Sequence, residues 1–270
     1  MSAIPPELYR SIIENIDEQP TLYTLLFVSR NWSREAERHL YKSVTIPRPE
    51  WSENPMTSQP EEHKQKEMLI TLLRSPRLMS YLENLDLSGL KNQDGTNLML
   101  SISQGCPNLK SLLLPFEQGQ SFIPPPNACF RLRVFDFGSI PRSKRRILGH
   151  GDPHGIRPFL ESQPEIRVLI VPSWILLEPL PPYALPNLRA LIAPIQICSW
   201  LLPKRPVEEL MLSIGVTNFF FEGFGHLPYL KQLRFTLPFE NLVWFANCFG
   251  QLEHLEIALV CGFLSVQPWR

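Results

Sequence analysis

Leu82-Glu83-Asn84-Leu85-Asp86-Leu87 is the stretch that decides the fold, because its spacing of leucines returns down the chain. With apolar substitutions the same LxxLxL unit starts at Leu109 (LKSLLL), Leu132 (LRVFDF), Ile166 (IRVLIV), Leu188 (LRALIA), Val207 (VEELML), Leu230 (LKQLRF) and Leu252 (LEHLEI). Successive starts lie 27, 23, 34, 22, 19, 23 and 22 residues apart. Self-similarity at such a period marks a stack of like units in which each buries what its neighbours cannot. Within a unit the apolar residues alternate, which is the period of a strand. Pro107, Pro164, Pro186, Pro206 and Pro228 stand just upstream of five copies, where each stops the segment before it from running on as a helix.

Each unit therefore reads as a short strand and a return segment. Proline is abundant, with 28 in 270 residues, about twice the usual ~5%. That load suits many short elements and frequent turns. The repeats resemble leucine-rich repeats, whose usual period is about 20 to 29 residues. The resemblance implies an irregular solenoid with a curved parallel sheet over residues 61–270. The asparagine ladder of the standard repeat is poorly kept, so short or absent helices are expected in the return segments, as at Asn97 to Gln104 and Ile156 to Ser162.

The same resemblance implies that the residues between the core leucines face the concave side. They are polar at both ends, as in Asn84, Asp86, Gln232, Arg234, His254 and Glu256, and apolar in the middle. Leu113, Val134, Val168, Ile170, Ile192 and Met211, with Arg234 beyond them, form the expected surface for a protein substrate, since a large exposed apolar patch marks a binding site or a covered one. A slip of one residue in the face assignment would instead move them all into the core.

The first 45 residues carry a different pattern. Pro6, with Glu7 beside it, makes a helix start, and Leu8, Ile12, Ile13 and Ile16 follow on one face. Leu22, Leu25, Leu26 and Val28 mark a second short helix, and Ser33 to about Tyr41 a third, with Trp32 at its entrance. Burying one large side chain contributes only about 1.5–3 kcal/mol, so a unit this small needs a neighbour.

The order Pro6-Glu7-Leu8, Ile13, Leu25 and Val28-Ser29-Arg30-Asn31-Trp32 resembles an F-box. Ile4-Pro5-Pro6 stands where that family usually has Leu-Pro. The resemblance covers roughly a sixth of the chain and implies that residues 1–46 dock on a Skp1-type adaptor and through it on a cullin. It implies docking roles for Pro6, Leu8, Ile13, Leu25 and Val28, with Trp32 bracing the helices. Residues 47–60 read as a polar, proline-containing linker, and 61–74 as a first helix of the solenoid.

Composition bounds the rest. The 26 basic and 26 acidic side chains cancel, which gives no electrostatic case for nucleic acid or an anionic membrane. Neither a signal-peptide pattern nor about 18 consecutive apolar residues occurs, so a cytoplasmic or nuclear location is expected. The five cysteines include no CxxC pair. His150, Asp152 and His154 alternate in a glycine-rich stretch without a fourth ligand, and no nucleophile stands in a GxSxG elbow. No metal, cofactor or catalytic residue is expected. The basic run Arg142, Lys144, Arg145 and Arg146 falls in the 34-residue interval, as a solvated loop, a localisation signal or a phosphate-reading patch. The expected function is a non-catalytic substrate receptor of an SCF-type ubiquitin ligase in ubiquitin-dependent degradation. The alternative is a repeat scaffold whose helices only cap the solenoid.

Overall fold

The computed structural model describes residues 5–46, 59–90, 95–114, 123–138, 156–172, 175, 177–212, 228–237 and 253–259. Three helices come first: α1 (Pro6–Ile13), α2 (Gln19–Leu25) and α3 (Arg30–Leu40). Ile13, Leu22 and Ala36 form their core, with Ile16, Leu25, Leu26, Trp32 and Leu40 packed around it. Tyr9 meets Trp32 edge to face, with centroids 4.8 Å apart. The third helix starts earlier than the Ser33 read from the apolar spacing. Ser29 accepts a hydrogen bond from the Trp32 amide and so caps it, as serine does at an N-cap.

Nine strands follow in one parallel sheet, in chain order throughout: β1 (Ser43–Thr45), β2 (Asn84–Asp86), β3 (Ser111–Leu113), β4 (Val134–Asp136), β5 (Val168–Ile170), β6 (Ala190–Ala193), β7 (Glu209–Leu212), β8 (Gln232–Leu237) and β9 (His254–Leu259). Each of the eight LxxLxL units supplies one strand beginning at its third residue. The ninth is an addition: β1 pairs with β2, Val44 opposite Leu85. The sheet thus begins inside the stretch 1–46 that the sequence reads as wholly helical. Its unit, Tyr41-Lys42-Ser43-Val44-Thr45-Ile46, keeps the spacing without a single leucine. Val44 and Ile46 are buried in the large core and Tyr41 packs against it.

Register is constant, so the core forms columns. Leu85, Leu112, Phe135, Leu169, Leu191, Leu210 and Leu233 stand opposite one another from strand to strand, each at most 3% exposed. Burying such a side chain contributes about 1.5–3 kcal/mol. Behind them lie the helices of the return segments: α4 (Gln59–Arg74), α5 (Pro76–Met79), α6 (Gly95–Gly105), α7 (Ile156–Glu161) and α8 (Ile195–Leu201). Leu72, Ile102, Phe159 and Leu201 from these helices join the same core. Helix α4 begins two residues before the expected 61, within the stretch read as linker. Among the described residues of the 34-residue interval, Phe135 packs edge to face on Phe137 at 4.5 Å and on Phe159 at 5.1 Å.

Buried polar side chains close the irregular returns. Gln163 is fully buried; its Oε1 accepts from the Leu132 amide at 2.9 Å, and its Nε2 donates to the Phe130 carbonyl. Asn108 donates to the Ser80 carbonyl and Asn187 to the Pro164 carbonyl, each reaching back one turn. Arg205, 4% exposed, has no carboxylate partner among the described residues. It donates to the carbonyls of Ala184 (2.9 Å), Leu201 (2.5 Å) and Pro181 (2.9 Å). Burial pulls its pKa below the ordinary guanidinium value, yet carbonyl dipoles and the C-terminal end of α8 favour the cation. The clamp joins two loops, one with Leu185 at φ 55° and the other with Lys204 at φ 66°, a left-handed region costing a non-glycine residue about 1–2 kcal/mol.

Replacing Arg205 by Met leaves those carbonyls buried without donors. Urea unfolding should show a loss of about 2–4 kcal/mol, and an unchanged midpoint would remove the clamp from the account.

Candidate functional site

Two surfaces stand out once the core is assigned. The first belongs to the helical unit, where Leu8, Ile12, Tyr23, Phe27 and Val28 are large apolar side chains left in solvent, Phe27 at 88% exposure. Leu8 and Ile12 are one helical turn apart and share a face of α1. Phe27 and Val28 lie in the turn between α2 and α3, ahead of the Ser29 cap.

The structure divides the residues that the sequence assigns to adaptor docking. Leu8 and Val28 are exposed. Leu25 and Trp32 are half-buried against the helical core. Pro6 is the first residue of α1. Ile13 is a correction: at 1% exposure it is a core residue with no surface to offer. The spacing puts it on the apolar side of α1, but that side is split between an inner core and solvent. Phe27 is the residue the sequence reading passed over. Its signal was an aromatic directly before Val28-Ser29-Arg30, outside the helical period.

The second surface is the open face of the sheet, opposite the return helices. Two rows cross it in register. One runs Asn84, Ser111, Val134, Val168, Ala190, Glu209, Gln232, His254, and the other Asp86, Leu113, Asp136, Ile170, Ile192, Met211, Arg234, Glu256. Leu113, Val134, Val168, Ile170 and Ile192 are half-buried, and Met211 and Arg234 are exposed, while the residue between each pair is buried. All seven therefore sit on the open face, in the assignment without a slip. Asp136 departs from its row: it is 7% exposed, and its Oδ1 accepts from the Gly138 amide at 2.8 Å, closing the turn after β4.

A hollow of about 300 Å³ lies on this face over β5 to β9. Val168, Ala190, Ile192 and Met211 make its apolar side, and Glu209, Gln232, Arg234, His254 and Glu256 its polar side. Arg234 and Glu256 are ion-paired across it, Nε to Oε2 at 2.6 Å. An apolar trough ending in fixed charge can hold a side chain of a protein partner, with the charges setting its direction.

A third feature had no counterpart in the sequence reading. The residue before each strand is charged in every unit: Lys42, Glu83, Lys110, Arg133, Arg167, Arg189, Glu208, Lys231 and Glu253. The main chain joins them in a column, each carbonyl accepting from the next member's amide, as in Lys110 N to Glu83 O and Arg167 N to Arg133 O, both 2.8 Å. Glu83 pairs with Lys110 at 2.8 Å, and Glu208 takes both Arg189 and Lys231, the latter at 3.0 Å. The hydrogen bond from Lys231, reinforced by Arg189, holds the Glu208 carboxyl below its ordinary pKa. The signal was available in the second letter of every LxxLxL unit.

Among the described residues no group of three or more His, Cys, Asp or Glu side chains converges as a metal site would require, and no helix is long and apolar enough to cross a membrane. Burial pushes the thiols of Cys106 and Cys198 up to about 12, so neither is a nucleophile near neutrality. Cys129 is exposed. The Arg142–Arg146 run, the His150, Asp152 and His154 group, and residues 260–270 lie outside the described residues.

Comparison with known proteins adds one partial likeness. The chain is 32% identical over 92 residues to the F-box protein COS111 of Kluyveromyces lactis. The match takes in 34% of this chain and 11% of that protein, so the chain spans only a small part of its relative's length. No family model matches the chain.

Alkylation at pH 8 followed by peptide mass mapping should label Cys129 and spare Cys106 and Cys198 until the protein is unfolded. Rapid native labelling of Cys198 would contradict its burial in the core.

Proposed function

We propose that this chain is the substrate-recognition subunit of an SCF-type ubiquitin ligase and carries no catalytic group of its own. The observation that carries the reading is the exposed apolar set Leu8, Ile12, Phe27 and Val28 on a helical unit whose core, among the described residues, holds three buried side chains. A unit so small gains by completing its burial on a partner. The order of landmarks from Pro6 to Trp32, which resembles an F-box, and the partial likeness to an F-box protein both support a Skp1-type adaptor as that partner.

The remainder of the chain, read as a leucine-rich-repeat solenoid, then holds the client on its open face. Leu113, Val134, Val168, Ile170, Ile192 and Met211 supply apolar contact, and Arg234 with Glu256 a polar end. The mechanism is proximity. Holding a client beside a charged ubiquitin carrier raises the effective concentration of its lysines, and the transfer chemistry belongs to other subunits. The proposed role goes with a cytoplasmic or nuclear location.

Co-expression with a Skp1-type adaptor should give a complex that survives size-exclusion chromatography. Leu8→Asp and Val28→Asp should each weaken it at least tenfold, because a charge would be forced into a desolvated contact. A wild-type chain that stays soluble and ignores the adaptor sinks the reading and leaves a repeat scaffold in its place. On the client side, the double variant Ile170→Glu, Ile192→Glu should keep the adaptor and lose client capture by at least tenfold. Unchanged capture removes the open face from the mechanism.

A further inference from the structure

The hollow over β5 to β9 carries one charge that, among the described residues, has no answer. Of its two glutamates and one arginine, Glu256 and Arg234 hold each other, Nε to Oε2 at 2.6 Å. Glu209 is exposed, and among the described residues its carboxylate makes neither an ion pair nor a hydrogen bond. Its register partners on the flanking strands are Ala190 and Gln232, so no cation stands across from it. The cations that precede those partners, Arg189 and Lys231, are both bound to Glu208. Gln232 is exposed, and its side-chain amide is likewise without a hydrogen-bond partner among the described residues.

The other side of the hollow is apolar. Val168 faces Ala190 in register and Ile192 faces Met211, all four lining the same space. With neighbouring strands about 4.8 Å apart, the wall from β5 to β7 is about 10 Å across, wide enough for a long side chain to lie flat on it. A purely apolar side chain there would desolvate the Glu209 carboxylate without pairing it, which is costly. An acidic one would set two carboxylates together. An apolar stem with a cationic head satisfies both sides of the hollow.

Lysine and arginine share that plan, and the acceptors at the head separate them. The Glu209 carboxylate and the Gln232 amide oxygen stand side by side on β7 and β8. Together they offer several acceptor sites, which match a planar guanidinium with five N–H donors. That head is also less strongly hydrated than an ammonium, so it gives up less water on the apolar wall.

We infer that the hollow holds an arginine side chain of the client protein, its stem on the apolar wall and its guanidinium on Glu209. Glu209 is then the specificity-determining residue of the open face. The inference rests on the reading of that face as the client surface and adds the client's chemistry to it. Arg167, unpaired among the described residues, stands ahead of β5, two strands from Glu209. At about 10 Å its repulsion of the client's arginine is largely screened by salt.

The test uses the full chain alone and peptide pools of one degenerate sequence, centred on arginine, citrulline, lysine, alanine or glutamate. Citrulline keeps the shape of arginine without its charge. Fluorescence anisotropy should show the arginine pool binding at least fivefold tighter than each of the others. Glu209→Gln should erase that preference with Tm unchanged, since the carboxylate has no partner to lose. Glu209→Arg should transfer the preference to the glutamate pool, an exchange that a merely structural role for Glu209 would not produce. Equal binding of the arginine and citrulline pools overturns the inference, as does a lysine pool that binds as tightly as the arginine pool. An arginine preference that survives Glu209→Gln, or no binding by any pool, overturns it too. Such a failure leaves the client surface standing if Ile170→Glu, Ile192→Glu still abolishes client capture, whereas capture unchanged in that double variant removes the surface and the inference together.

Discussion

Constant register in a parallel ladder is the constraint on which the rest of this molecule depends. Because side chains alternate along a strand, one residue of slip between any two units would exchange the buried column for the open-face rows. The column through Leu85, Phe135, Leu191 and Leu233 prevents that: each member is nearly or fully buried, and shifting one strand would set an Asn, Val, Ala or Gln against the core. The same constraint aligns surfaces that no single unit encodes. Apolar residues from five strands become one strip, and the residues before the strands become one charged column.

Fixed strands leave variation to the return segments, and these differ in length and content. The turn holding α6 is closed by a helix of 11 residues, whereas the one holding α7 has a helix of six and fills its space with Phe130, Phe135 and Phe159. Where a return is irregular, buried polar side chains satisfy main-chain groups that a regular helix would have satisfied itself. Gln163 and Arg205 serve this purpose in different chemical ways. An amide both donates and accepts, so Gln163 bridges an N–H and a carbonyl. A guanidinium only donates, so Arg205 gathers carbonyls from the Pro181–Ala184 loop and from the end of α8.

The strands were the most legible part of the fold, since eight of nine follow from leucine spacing alone. Strand β1 was hidden because Tyr41, Val44 and Ile46 keep the spacing with other residues, and a leucine pattern does not see them. Gln163 and Arg205 were illegible for a different reason: the partners of these bonds lie 21 to 33 residues away, along a path no local pattern gives. On the helical unit, helical period identified the apolar side of α1 but could not divide it, so Leu8 and Ile13 read alike although one is exposed and the other buried. The open-face residues were legible as a set because strand alternation admits only two assignments, and the depth of the intervening column selects between them.

A helical unit with exposed apolar residues stands ahead of a sheet with an apolar strip on its open face, and the proposed function makes these the two ends of an adaptor. Hydrogen–deuterium exchange on the full chain, with and without a Skp1-type adaptor, tests that division of labour most directly. The account predicts slowed exchange in residues 6–13 and 19–28 when the adaptor is added, with the nine strands unchanged. Slowing confined to the strands, or no slowing at all in a mixture at saturating adaptor, would contradict it.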